Sequence, residues 1–135
     1  MKKATWWLAP ALGLGAMVAP VLVWPPANPY PAPLFPLLRN AQEYLGLGQL
    51  ALFFLVGVVL GRFNSQRPWL LGFTAVSLLP AAAVTEVRVD PASHTLLPLE
   101  VIFYAAYGAI VAAGILTSRR SREGRRPGSV SWRRS

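Results

Sequence analysis

Four uncharged runs, divided by short polar stretches, set the pattern of the chain. Trp6 to Trp24 reads "WWLAPALGLGAMVAPVLVW", with tryptophan at both ends. Tyr44 to Gly61 ("YLGLGQLALFFLVGVVLG"), Trp69 to Thr85 ("WLLGFTAVSLLPAAAVT") and Val101 to Ser118 ("VIFYAAYGAIVAAGILTS") follow. Each run holds 17 to 19 residues, close to the roughly 20 that a helix rising about 1.5 Å per residue needs to cross a hydrocarbon core about 30 Å thick. None alternates apolar and polar positions as a half-buried strand would. Backbone groups in lipid must find partners within their own segment, so such runs are read as helices. The pattern predicts an all-α fold, a four-helix transmembrane bundle over residues 1–118, followed by a basic, disordered tail over 119–135.

The connections refine this. Six of the thirteen prolines fall in "PPANPYPAPLFP", residues 25–36. Proline fixes φ and removes the amide donor, so the stretch should run extended, as a stiff spacer or as a strap that docks a partner. Tyr30, Leu34 and Phe35 give it a greasy side. Pro36 suits a first helical turn, so the second helix should start there, two turns ahead of its apolar run. Arg39 and Glu43 would then form an i,i+4 pair worth about 0.3–0.5 kcal/mol if exposed. The short link "RFNSQRP" predicts that the second and third helices are antiparallel neighbours. Pro80, inside the third run, should kink it.

Composition agrees with the pattern: 54% of the residues are hydrophobic and 13% charged, against about 25% charged in ordinary soluble domains. There is no cysteine, which excludes disulfides, thiolate metal sites and cysteine nucleophiles. Lys2 and Lys3 before an apolar run also describe a signal peptide, but the run exceeds the usual ~7–15 residues of such a segment, and Pro20 follows the best cleavage position. A retained helix is expected. With the connections assigned to alternate sides, eleven basic residues share one side and two, Arg39 and Arg88, the other. The positive-inside rule then places both termini in the cytoplasm, in a multi-pass protein of a bacterial-style cell membrane. Arg119, Arg120, Arg122, Arg125 and Arg126 should meet anionic lipids at that face. An arginine run could also suggest nucleic acid, but no supporting module accompanies it, and none is expected as a partner.

The runs hold no Asp, Glu, Lys, Arg or His. Intramembrane ionisable groups are costly and are kept for proton relays and ion sites. Small four-helix multidrug transporters resemble the chain in size and span number; they depend on a membrane-embedded glutamate in the first helix, and Trp6 to Trp24 has none. That departure argues against a proton-coupled antiporter. What the runs do hold is small residues: Gly57 and Gly61 in a GxxxG, and Ala105, Ala109 and Ala113 at every fourth position, with Gly108 and Ala112 beside them. Such faces let backbones approach closely, within one bundle or towards a membrane protein partner or second copy. Gln49, the most polar side chain well inside a run, reads as an interhelical hydrogen-bonding residue or, less simply, a ligand contact. Tyr104 and Tyr107 are read as anchoring or core residues.

The polar stretch "VTEVRVDPASHTLLPLE", Val84 to Glu100, carries three of the five acids and the only histidine. Asp90-Pro91 reads as an N-cap and first helical position of a single turn reaching His94. Glu100 should sit at the start of the last helix, where exposed amides favour an acid. Arg88 could pair with Glu86 or Asp90. The plain reading is a polar hinge. The sharper ones make Glu86, Arg88, Asp90, His94 and Glu100 a ligand or partner contact, or an acid–base pair of an outer-face enzyme. The spacing matches no zinc signature, and no catalytic residue, metal or cofactor is assigned. The leading expectation is a non-catalytic subunit or accessory protein working through helix packing and loop contacts; the alternative is a homo-oligomer moving a small molecule or lipid.

Overall fold

A computed structural model describes residues 4–32, 34–43, 45–92 and 97–124. These form six helices: α1 (Ala4–Val23), α2 (Pro36–Glu43), α3 (Leu47–Phe63), α4 (Pro68–Val76), α5 (Leu78–Val89) and α6 (Leu97–Glu123). The described residues include no strand. Trp6–Val23, Pro68–Val89 (α4 with α5) and Pro98–Glu123 are each long and apolar enough to cross a membrane, and α2 with α3 supplies a fourth candidate if that bent pair is one span.

The hub is α6. It packs along both α3 and α4, and α1 completes the ring by packing on the same two helices. α3 and α4 barely touch, so the short link between them does not make them the neighbours that its length predicts. The reason lies in the glycines. A Cβ on Gly57 would overlap the carbonyl oxygen of Val111, and one on Gly114 would overlap that of Phe54. α3 and α6 therefore cross backbone against backbone, a contact that only small residues allow. Gly61 extends the crossing towards Ile115 and Ser118, while Gly72 of α4 meets Gly108 and Ala112. The order of these contacts makes α6 parallel to α3 and antiparallel to α4. Beside the crossing, the rings of Phe53 and Tyr107 stack with centroids 5.1 Å apart, and Leu71, Leu79, Val111 and Ile115 are fully buried.

Two breaks shape the bundle. The helix that starts at Pro36 ends at Glu43, and α2 lies at 108° to α3, so it does not run on into the second apolar run. Gly46, in extended conformation, caps α3, and glycine's poor helix propensity at positions 46 and 48 makes interruption cheap. The second break falls at Ser77, three residues before Pro80. Pro80 cannot donate to the Val76 carbonyl one turn back, and the chain tightens at Ser77, whose N–H bonds to Thr74 O at 3.2 Å. Beyond it α5 diverges and touches α1 and α6 only sparsely.

Charged side chains gather at the two ends. Arg62, Arg67, Arg119, Arg120 and Arg122 mark a basic end; the 25–36 strap, α2 and the start of α6 mark the other. Between them Leu55, Val59, Leu70, Phe73, Ile102 and Phe103 are exposed with no charged residue among them. A monomer in water rarely shows so continuous an apolar surface. α6 continues to Glu123, so the first residues of the expected disordered tail are helical. Arg119 Nη2 donates to Asn64 O at 3.0 Å and to Gln66 O, and Arg122 Nη1 to Arg62 O at 2.8 Å. These guanidinium groups satisfy carbonyls left open where α3 ends.

Candidate functional site

The polar groups converge at the strap end, and the path of α5 decides how. Because α5 runs to Val89, Glu86 and Arg88 are two residues apart on a helix and face opposite ways. Glu86 turns inward, is 4% exposed, and its Oε1 accepts from Leu34 N–H and Phe35 N–H at 3.5 and 3.4 Å. Arg88 is exposed and forms no ion pair among the described residues. The pairing of Arg88 with Glu86 or Asp90 is thus corrected: it assumed a loop where helix persists. The turn that Asp90 is expected to cap, reaching His94, runs beyond the described residues. Asp90 ends α5, and its Oδ1 accepts from Ala92 N–H at 3.0 Å, the bond an N-cap makes to the second residue of the turn it opens. His94 lies outside the described residues.

The strap is held at a second point. Buried Asn40 accepts from Tyr30 N–H at 2.7 Å and donates to Tyr30 O and Pro36 O at 3.2 and 2.7 Å. Its amide therefore stands in for the backbone partners that a proline-rich chain cannot give itself. α2 is in turn tied to α6. The Arg39–Glu43 pair forms at 2.7 Å, and Arg39 also reaches Glu100 at 3.5 Å. Tyr104 OH donates to Glu100 Oε2 at 3.2 Å and accepts from Gln42 Nε2 at 2.7 Å. Glu100 lies in the first turn of α6, where the free amides favour its charge.

Gln49 is the joint between α1, α2 and α3. Its Nε2 donates to Met17 O at 2.8 Å and to Ala41 O at 2.9 Å, and its Oε1 accepts from Gly46 N–H at 3.0 Å. The side chain is 2% exposed, and its three bonds leave little of it for a ligand. Its last bond is half of a capping box, and glycine at the cap with glutamine three residues on was the sequence signal for the break before α3. Asn40, Gln42 and Gly114 were not singled out from sequence. A polar residue one helical turn after Pro36 was the available sign for Asn40; nothing local marks Gly114, whose partner is 57 positions away.

The small residues divide into two sets. Gly57, Gly61, Gly108 and Ala112 are buried against neighbouring helices, whereas Ala105 and Ala113 are exposed and Ala109 is partly so. The every-fourth alanine ridge therefore stands outside this bundle, because glycines already fill the inner face of α6. At the basic end Arg119 and Arg122 hold loop carbonyls, Arg120 is exposed, and Arg125 and Arg126 lie outside the described residues.

Glu86 holds the strap, while Glu100 ties α6 to α2 through Arg39 and Tyr104. Among the described residues no group of three His, Asp or Glu could hold a metal ion. No known protein family matches the chain, and neither does any curated protein or solved structure.

Proposed function

We propose that the chain is a four-span integral protein of the cell membrane, with both termini cytoplasmic and the strap outside, and that it acts as a non-catalytic subunit or accessory protein. The bent α2–α3 pair and the α4–α5 pair, interrupted at Ser77, each count as one crossing. The distribution of eleven basic residues against two supports the orientation, and Trp7, Trp24 and Trp69, exposed near helix ends, suit the membrane interfaces. Arg120, with the arginines that follow it, would sit among anionic lipids at the cytoplasmic face.

The alanine ridge of α6 carries the functional reading. Ala105, Ala109 and Ala113 repeat at one turn on the outside of the hub helix, where the bundle itself makes no use of them. In lipid, where apolar burial no longer drives association, such a face lets a partner's helix approach to close contact. Because the chain has no cysteine, the test is clean: Ala113→Cys in native membranes, treated with a thiol cross-linker, should give a discrete adduct. In that variant Ala109→Leu should abolish the adduct, and in the cysteine-free chain Ala109→Leu with Ala113→Leu should abolish any polypeptide that co-purifies in mild detergent. A lone monomer with no adduct would remove the basis of the reading.

A further inference from the structure

Beyond the break at Ser77, α1 and α5 leave an opening between them that the helices do not close. Where α5 diverges from α1, a cavity of about 810 Å³ runs between them and beneath the strap, lined by Leu14, Val18, Leu22, Phe35, Leu78 and Ala82 among others. Its lining includes no charged residue. On α1 it extends from Ala11 to Leu22, about 16 Å at 1.5 Å per residue, which matches one leaflet of a hydrocarbon core about 30 Å thick. Gly15 forms part of the floor, and a Cβ there would meet nothing within 4 Å.

The charge at the mouth selects the occupant. On α5 the lining positions are 78, 81, 82 and 85, and Arg88 continues that face one turn on, towards the strap end. Long helical side chains lean back over the preceding turn, which directs Arg88 towards Thr85, the last lining position on α5. Arg88 has no ion-pair partner among the described residues, and Glu86 is taken up by the amides of Leu34 and Phe35. A planar guanidinium is suited to two phosphate oxygens.

We infer that this groove binds one anionic phospholipid of the surrounding bilayer, with an acyl chain between α1 and α5 under the strap and its phosphate on Arg88. The inference rests on the membrane-spanning reading above. It assigns the strap a purpose: latched by Glu86, it roofs the chain of the bound lipid.

The test titrates the delipidated full-length protein in mild detergent with phosphatidylglycerol or with phosphatidylcholine of the same chains, counting bound lipid by native mass spectrometry. One phosphatidylglycerol should be held about fivefold more tightly, the ratio that about 1 kcal/mol from one arginine gives. Arg88→Gln should erase the preference, and Gly15→Leu, whose Cβ enters open space, should occupy the floor and weaken binding of both lipids. Equal affinity for the two lipids in the wild type, or unchanged binding in Gly15→Leu, overturns the site. Alkaline carbonate washing of the same membranes separates the two levels: protein kept in the pellet but without lipid preference sinks this site alone, and protein released by the wash sinks the membrane reading with it.

Discussion

Single polar side chains, each placed where backbone is short of partners, set the geometry at both ends of this molecule. Gln49 shows how far sequence reaches. Its role as an interhelical hydrogen-bonding residue was legible, because a lone amide inside an apolar run needs partners wherever it goes. The identity of those partners, Met17 O, Ala41 O and Gly46 N–H, depends on a bend that no periodicity announces. Replacing it tests the joint: Gln49→Leu removes the donor to the carbonyls of buried Met17 and Ala41 and the acceptor of Gly46 N–H, and should cost about 1–3 kcal/mol, read as earlier thermal unfolding in detergent. Glu86 and Arg88 teach the opposite lesson. As neighbours in a loop they would pair; on a helix that persists to Val89 they part, and one becomes the strap's acceptor while the other stays exposed.

Among elements, glycine crossings rather than loop lengths decide which helices are neighbours. The link between α3 and α4 is short, yet both helices pack on α6, because Gly57 with Gly114 and Gly72 with Gly108 offer closer approach than α3 and α4 offer each other. This predicts a sharp contrast between substitutions of one type. Gly114→Leu drives a side chain into the Phe54 carbonyl and should destabilise by about 1–3 kcal/mol or more. Gly48→Leu, where a Cβ meets open space, should stay within about 0.5 kcal/mol of wild type. Unfolding of the two variants side by side in one detergent checks both. The GxxxG of α3 could be noticed in the sequence, but that it meets Gly114 could not, since any small residue of any helix would have served.

At the scale of the whole molecule the ends carry opposite character: a basic end closed by arginines on loop carbonyls, and a strap end closed by Asn40, Glu86 and the Arg39–Glu100–Tyr104 chain. The proposed orientation assigns these ends to the two sides of a membrane and can be read directly in a chain without cysteine. A cysteine at Ala27 in the strap should react with a membrane-impermeant maleimide on intact cells, while one at Ser135 should react only after the cells are opened. Labelling of Ser135→Cys from outside would reverse the orientation.

By itself the sequence determined that this is a helical chain with several segments apolar enough to cross a bilayer, read there as four and found in the structure as three or four, and which residues stand at their ends. Those properties are sums over local composition: run length, missing charge, and proline and glycine at the breaks. Only the tertiary structure decided that α6 is the hub, that the alanine ridge is left outside it, and that the strap is latched by Glu86 and Asn40. Each of these follows from which backbone surfaces approach most closely, a relation between positions tens of residues apart that no local pattern records.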